Sequence, residues 1–366
     1  MKKIVLIGST GSIGRQVIEV VKRHPDEYAI CALVTGSGGE AFEKQVREIK
    51  PKFCAVASVE KEKALSLAAL DGADIIFNAA GGFAGAEYSL RAVKAGKRLA
   101  LANKESLVCA GDIILPLAKK SGAQIIPVDS EHSAIWQCLN FDCNKPVKRL
   151  IITASGGAFR GYTEEMLKGV TAAQALNHPT WRMGRKITVD SATLMNKGYE
   201  VIEAHALFGT PYKDVEAVIQ PQSIIHSMVE FADGAIIAQL SYPTMEIPVQ
   251  LALSYPERRH TSLAHMDFTK AFSLGFEPLK KEDYPCFALA LKCGQEGSTA
   301  PCVLNAADEE AVHAFLNGRI AFTDIFRVAD ETLQKLGVHN AADFEDIVQT
   351  DKTARGVAQK IILRLQ

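Results

Sequence analysis

The first strand and the turn after it constrain this chain more than any other feature. Lys3 to Ile7 is a short, continuously apolar run, Gly8-Ser9-Thr10-Gly11-Ser12-Ile13-Gly14 is a glycine-rich turn, and a helical pattern extends from about Ser12 to Arg23. Strand, glycine turn and helix open a βαβ unit, which commits the chain to a parallel sheet with helices on its faces. Gly8 allows the tight turn, Gly11 lets backbone approach a pyrophosphate, and Gly14 lets helix and strand pack closely. The helix N-terminus then presents its free N–H groups to the phosphates. The spacing is GxxGxxG, a variant of the usual dinucleotide fingerprint. Such a turn can be purely structural, but its place between strand and helix favours a nucleotide site.

Further βα units follow. The second strand, Tyr28 to Val34, ends at Thr35-Gly36-Ser37-Gly38-Gly39. No carboxylate stands there to hold a ribose 2′-hydroxyl, and Gly36 and Ser37 leave room for a 2′-phosphate. NADP is therefore expected over NAD, although no arginine or lysine stands there either. Strands are expected at Phe53 to Ser58, Ala73 to Asn78 and Arg98 to Ala102, with a helix from Gly85 to Ala95. Asn103-Lys104-Glu105 follows the last of these strands. The carboxyl end of a strand is where open α/β sheets bind ligands, so these residues are expected on the nicotinamide side. The plainer reading is that Asn103 or Ser106 caps the helix beginning near Glu105.

Gln124 to Val128 reads as another strand, followed by Asp129-Ser130-Glu131-His132 and a helix from Ser133. Asp129 and Glu131, two apart in extended chain, would point to the same side. Two carboxylates side by side favour a hard divalent cation between them. The alternative is that Asp129 or Ser130 merely caps the helix. A strand from Arg149 to Thr153 then ends in Ala154-Ser155-Gly156-Gly157, which is either an anion cradle or a plain turn.

Residues 177 to 200 are the second dense stretch. Asn177 to Lys186 mixes His178, Trp181 and Met183 with Pro179 and Gly184, which suggests a lid. Ser191 reads as a helix cap. On the helix after it, Asn196 and Glu200 share a face, with Lys197 beside them. A Lys–Glu pair at this spacing is usually a solvated helix face, but the neighbouring His, Ser and Asn favour a site.

Strands at Ala217 to Ile219, Ser223 to Phe231 and Ala235 to Ser241 come next, the last two joined by the hairpin signal Asp233-Gly234. This antiparallel piece leaves an edge that pairing across a dimer axis would cover. Residues 256–280 read as a linker. Beyond it, Cys286–Cys293, Pro301–Leu316, Thr323–Leu336 and Phe344–Leu365 read as four amphipathic helices of a bundle. A formal net charge of -1 and the lack of any long basic block give nucleic-acid binding no electrostatic support. No apolar run is long enough to span a bilayer, and no secretory signal stands before the first strand. The eight cysteines form no CxxC pair and read as reduced core residues of a cytoplasmic protein.

Assembled, these motifs closely resemble the 1-deoxy-D-xylulose 5-phosphate reductoisomerase family of the non-mevalonate isoprenoid pathway. The resemblance spans essentially the whole chain. It rests on Gly8 to Gly14, Leu101 to Ser106, Pro127 to His132, Ala154 to Gly157, His178 to Gly184 and Met195 to Glu200. It implies an α/β protein with a Rossmann-type NADPH domain at 1–122. A catalytic and dimerisation domain with a mixed sheet follows at 123–255, with a lid near 177–186. The linker occupies 256–280 and a C-terminal helical bundle 281–366. It further implies that Asp129, Glu131 and Glu200 hold one Mg²⁺ or Mn²⁺ (Co²⁺ being a third candidate). Ser155, His178, Ser191, Asn196 and Lys197 would hold the substrate phosphate and nearby hydroxyls, Ser130 and Lys104 would contact the reacting carbons, and Trp181 would cover the carbon skeleton. Thr10, Gly11, Ser12, Ile13, Asn103, Glu105 and Gly184 would line the NADPH site, with Gly36 and Ser37 at its 2′-phosphate. A homodimer, a phosphorylated ketose substrate and inhibition by phosphonates of the fosmidomycin type are the implied partners. One departure stands out: many members carry a Lys-Asn or similar pair after the glycine that ends the second strand, where this chain has Ser37-Gly38.

Two rival readings stay open at this point. Another NADP-dependent sugar or semialdehyde dehydrogenase of similar build would not need three carboxylates around a metal. A non-enzymatic NADP-binding sensor would leave Asn196, Lys197 and Glu200 without a use.

Overall fold

The computed structural model describes residues 1–366. The chain divides into two compact units, Met1–Ser106 with Gly111–Ser133 and Thr244–Leu263, and Leu107–Ala110 with Ala134–Pro243 and Ala264–Gln366.

The first unit alternates strand and helix: β1 (Lys2–Ile7), α1 (Ser12–Arg23), β2 (Tyr28–Thr35), α2 (Glu40–Ile49), β3 (Phe53–Val56), α3 (Lys61–Leu67), β4 (Ile75–Asn78), α4 (Ala84–Lys94), β5 (Arg98–Leu101), α5 (Glu105–Ser121) and β6 (Ile125–Pro127). Its six strands are all parallel, in the order 3-2-1-4-5-6. That is the order of a dinucleotide-binding sheet, with its switch point between β1 and β4. Ile4, Val5, Leu6 and Ile7 are all buried, as expected for a central parallel strand covered on both faces. Gly8 explains the turn after β1. Its φ is +78°, and a Cβ there would lie 2.2 Å from the Ala79 carbonyl oxygen. A Cβ on Gly14 would lie 2.3 Å from the Gly8 carbonyl oxygen, so α1 packs on the turn only with glycine at that position.

The expected first domain boundary fell at 122. In the structure Ile125–Pro127 is the sixth strand of the first sheet, with Leu99 opposite Ile125. α6 (Ser130–Cys138) follows it, and the division between units falls inside this helix.

The second unit continues with β7 (Val147–Ala154), the short helices α7 (Glu164–Leu167) and α8 (Ala172–Ala175), α9 (Arg185–Thr193), α10 (Met195–Phe208), β8 (Val215–Ile219), β9 (Ile225–Phe231) and β10 (Ile236–Leu240). The chain then returns to the first unit as α11 (Glu246–Ser254), which packs on α1 and β6 and pairs Glu246 with Arg23 at 2.6 Å. β11 (Glu277–Pro278) pairs with β8, and the segment expected as linker divides, 256–263 belonging to the first unit and 264–280 to the second. The second sheet is mixed, in the order β10-β9-β7-β8-β11. Leu150, Ile152 and Val229 from it pack with Ile135, Val201 and Phe287 in one apolar core. The hairpin at Asp233-Gly234 forms, and β10 is the edge strand, leaving Ile236 and Ile237 exposed. Four helices close the chain: α12 (Pro285–Glu296), α13 (Ala300–Leu316), α14 (Asp324–Leu336) and α15 (Phe344–Leu365). All eight cysteines are free, and no helix is long and apolar enough to cross a membrane.

Candidate active site

In the first unit the candidate residues expected from the sequence stand at the carboxyl ends of the parallel strands. Thr10, Gly11, Ser12 and Ile13 form the turn and first residues of α1, whose N-terminus has no side-chain cap. Thr10 Oγ1 lies 2.8 Å from Thr35 Oγ1, which joins the turn to the end of β2 beside Gly36 and Ser37. A Cβ on Gly36 would meet nothing within 4 Å, so open space lies there. These features suit a dinucleotide: N–H groups for its phosphates and room at the ribose.

Asn103 is almost fully buried and spends its side chain on the backbone. Its amide donates to the carbonyls of Ala80 and Gly82 at 3.0 and 2.9 Å, and its oxygen accepts from the Ser106 N–H at 3.0 Å. The capping alternative thus holds for Asn103, which also organises the turn after β4. Glu105 accepts from the Gly82 N–H at 3.2 Å and from Asn103 at 2.7 Å.

Lys104 Nζ donates to Asp129 Oδ2 at 2.6 Å. Asp129 also caps α6, its Oδ1 accepting from the Glu131 N–H at 3.2 Å, and His132 Nδ1 lies 3.4 Å from the same oxygen. Glu131 is therefore in a first helical turn and not in extended chain as expected, yet one carboxylate oxygen of each acid lies within 4.8 Å of the other. Burial works to raise the Asp129 pKa, but Lys104 and His132 overcome it and hold the group well below the usual carboxylate range. Ser130 Oγ donates to Glu131 Oε2 at 2.5 Å.

In the second unit β7 leads directly into Ser155, whose Oγ lies 2.9 Å from His178 Nε2. His178 Nδ1 accepts from the N–H groups of Thr180 and Trp181 at 3.1 and 2.9 Å. An Nδ1 that accepts twice fixes the tautomer, so the proton sits on Nε2 and is donated to Ser155. Burial lowers the His178 pKa, in keeping with a neutral ring. Trp181 is half-buried, its ring edge-on to His226 at 6.0 Å. Gly184 N-caps α9.

Ser191 lies inside α9, not at a cap as expected; the break before α10 is Leu194 at φ 56°. The loop after β7 lies against this turn, because a Cβ on Gly157 would be 2.3 Å from the Ser191 carbonyl oxygen. Asn196 donates to Glu200 Oε1 at 2.5 Å, Lys197 Nζ pairs with the other oxygen of Glu200, and Lys197 also donates to the Thr153 carbonyl at 2.5 Å. The Lys197–Glu200 pair is buried, so this is no solvated helix face. His132 and His226 are buried histidines that motif reading left without roles. His132 could have been found from its place one helical turn after Asp129, but nothing local marks His226.

The carboxylates of Asp129, Glu131 and Glu200 are oxygen donors of the kind a hard divalent cation takes, and the glycine turn fits a dinucleotide. Fold and residues define an α/β oxidoreductase of the dinucleotide-binding class. Family models described as 1-deoxy-D-xylulose 5-phosphate reductoisomerase match residues 4–69 and 57–111, and those of its C-terminal domains match 125–208 and 240–357. Curated relatives of that name from Chlorobaculum tepidum and Thermodesulfovibrio yellowstonii are 46% and 44% identical, each match covering 99% of this chain and 100% of the relative. A crystal structure of DOX-P reductoisomerase in complex with NADPH, fosmidomycin and magnesium aligns with a TM-score of 0.92 at 34% identity, covering 99% of this chain and 98% of that one. The Zymomonas mobilis enzyme in complex with NADPH aligns at 0.88 and 36% identity, covering 99% of both chains. The chain belongs to the 1-deoxy-D-xylulose 5-phosphate reductoisomerase family.

Proposed function

We propose that this protein rearranges 1-deoxy-D-xylulose 5-phosphate and reduces the product to 2-C-methyl-D-erythritol 4-phosphate, using NADPH and one divalent cation, Mg²⁺ or Mn²⁺. Asp129, Glu131 and Glu200 hold the cation, which acts as a Lewis acid toward the ketone and hydroxyl oxygens when bound. Thr10, Gly11, Ser12, Ile13, Gly36, Ser37, Asn103, Glu105 and Gly184 line the NADPH site, and the cofactor supplies the hydride. Ser155, His178, Ser191, Asn196 and Lys197 gather the phosphate and nearby hydroxyls: a hydroxyl, an Nε2–H, an amide and an ammonium suit a dianion. Lys104 keeps Asp129 ionised and, with Ser130, contacts the substrate near the reacting carbons. Asn177 to Lys186 is a lid whose Trp181 covers the carbon skeleton and excludes water.

The observation that carries this reading is the lysine–carboxylate pair of each unit, Lys104–Asp129 and Lys197–Glu200, each next to a strand end. Such pairs supply ionised oxygens for a cation and ammonium groups for a phosphorylated ketose. The exposed edge of β10 is the dimerisation edge of a homodimer, the domains correspond to cofactor, catalytic and helical parts, and the enzyme works in the cytoplasm, where its eight free thiols stay reduced. Phosphonates of the fosmidomycin type compete with substrate. The test is purified protein with 1-deoxyxylulose 5-phosphate, NADPH and Mn²⁺, followed through the near-ultraviolet band of the reduced nicotinamide. Loss of that band with formation of the methylerythritol phosphate supports the reading; oxidation of NADPH by other sugars or semialdehydes but not by this one refutes it.

A further inference from the structure

Beyond its place as the last residue of the lid, Lys186 has no role assigned above, yet it is held by two buried carboxylates. Its Nζ lies 2.6 Å from Asp190 Oδ2 and 2.7 Å from Asp308 Oδ2, and the two aspartate side chains are 4% and 0% exposed. The same ammonium stands 5.3 Å from the ring centroid of Tyr199, which is fully buried.

This is a costly way to build a helix. A cation in the first turn of α9 opposes the helix dipole. Burying carboxylates is unfavourable unless they are well paired, and an apolar contact would join α9 to α13 at least as firmly. What the ion cluster adds is geometric definition at one point. Lys186 closes the lid two residues after Gly184, which N-caps α9, and Asp190 immediately precedes Ser191. One turn later Leu194 leads into α10 and its Asn196 and Lys197. Asp308 sits on α13, which packs directly on α9. The cluster therefore ties the foot of the lid and the anion-binding helix to the C-terminal helices.

We propose that Lys186, clamped by Asp190 and Asp308, is a positioning residue. It fixes the C-terminal foot of the lid so that Asn177–Gly184 pivots at Gly184 and returns His178 to one position beside Ser155. This rests on the lid reading given above. Asp308→Asn is the main probe, since it keeps the shape and leaves Lys186 paired with Asp190. Lys186→Met/Asp308→Asn removes the clamp without changing the net charge of the cluster, and Lys186→Arg keeps the cation.

Each variant is made in a Trp136→Phe background, so that Trp181 is the sole indole. Its emission is then recorded with NADPH and Mn²⁺ before and after fosmidomycin. In Asp308→Asn the ligand-induced change should shrink, KM for the phosphorylated substrate should rise about tenfold with kcat within about threefold, and NADPH affinity should stay put. The double variant should show the larger effect, with faster tryptic cleavage after Arg182 and Arg185, and Lys186→Arg should restore most of the binding. Parent-like KM and emission change in both aspartate-altered proteins would overturn the clamp alone. A Trp181 signal that ignores fosmidomycin in the unclamped and parent proteins alike would overturn the lid, and the clamp with it. If the double variant fails to fold, the split between KM and kcat in Asp308→Asn decides.

Discussion

Lys104 and Asp129 form an ion pair, Nζ to Oδ2 at 2.6 Å, that links the residues following β5 to those following β6. An ammonium this close keeps the carboxylate charged despite its burial, and a charged carboxylate is what a divalent cation requires. Substituting Lys104→Met should therefore damage two things at once. Turnover should fall by about 10²-fold or more, and Mn²⁺ affinity should acquire a steeper dependence on pH as Asp129 becomes easier to protonate. Calorimetric Mn²⁺ titrations at pH 6 and pH 8 would reveal the change; a pH dependence identical to the parent's would argue against it.

NADPH should be preferred over NADH, because no carboxylate ends β2 and the space at Gly36 is open. Ser37→Lys should widen the preference about tenfold by pairing an ammonium with the 2′-phosphate. Comparing kcat/KM for the two cofactors in both proteins checks this, and a parent that favours NADH would contradict it.

The Ser155–His178 contact should matter for substrate and not for cofactor. Ser155→Ala removes the hydrogen bond to His178 and, on the proposed reading, should raise KM for the phosphorylated substrate about tenfold, leaving the NADPH dissociation constant unchanged. An equal loss of NADPH affinity would show that Ser155 supports the fold instead.

The edge at β10 should be where two chains meet. Ile236 and Ile237 are 53% and 47% exposed on an unpaired strand, the kind of edge that pairs or packs across a two-fold axis. Light scattering should give a dimer, and Ile237→Lys should shift it toward monomer. A fully active monomeric parent would remove this prediction.

Acid stability should report on His226. Burial pushes its pKa from 6.5 down to about 4. The unfolded chain therefore takes up a proton before the folded one does, so stability present above pH 6.5 drains away as the pH falls toward 4. The full effect is about 3 kcal/mol. Thermal unfolding at pH 7 and pH 4.5 should show a smaller acid loss in His226→Gln than in the parent; equal losses would mean the ring is protonated in the folded state.

The first unit was largely legible because its signals are local. Gly8 and Gly14 mark β1 and α1 through contacts no other residue permits, and the all-parallel order follows from alternating strands and helices. Asp129 was harder: it does cap α6, as the plainer reading had it, but its partner Lys104 stands 25 positions away and no local pattern marks that contact. What stayed hidden depends on distance along the chain. Arg23 meets Glu246 across 223 positions, which draws α11 back to the first unit, and Lys186 meets Asp308 across 122. Ser191 misled because a serine before a periodic run reads as a cap, whereas the break falls at Leu194, a residue rarely left-handed.

One measurement bears most directly on the central claim, that Asp129, Glu131 and Glu200 serve a single cation. Mn²⁺ is titrated into the parent, Glu131→Gln, Glu200→Gln and the double variant, with turnover of 1-deoxyxylulose 5-phosphate recorded in parallel. Glutamines keep the shape and remove the charge, and groups that act on one ion are not additive. The account predicts one tight Mn²⁺ per chain in the parent. Either substitution should weaken it and cut turnover by orders of magnitude, and the double variant should be scarcely worse than the singles, with NADPH still bound. Normal turnover in Glu131→Gln, or losses that simply add between Glu131 and Glu200, would contradict it.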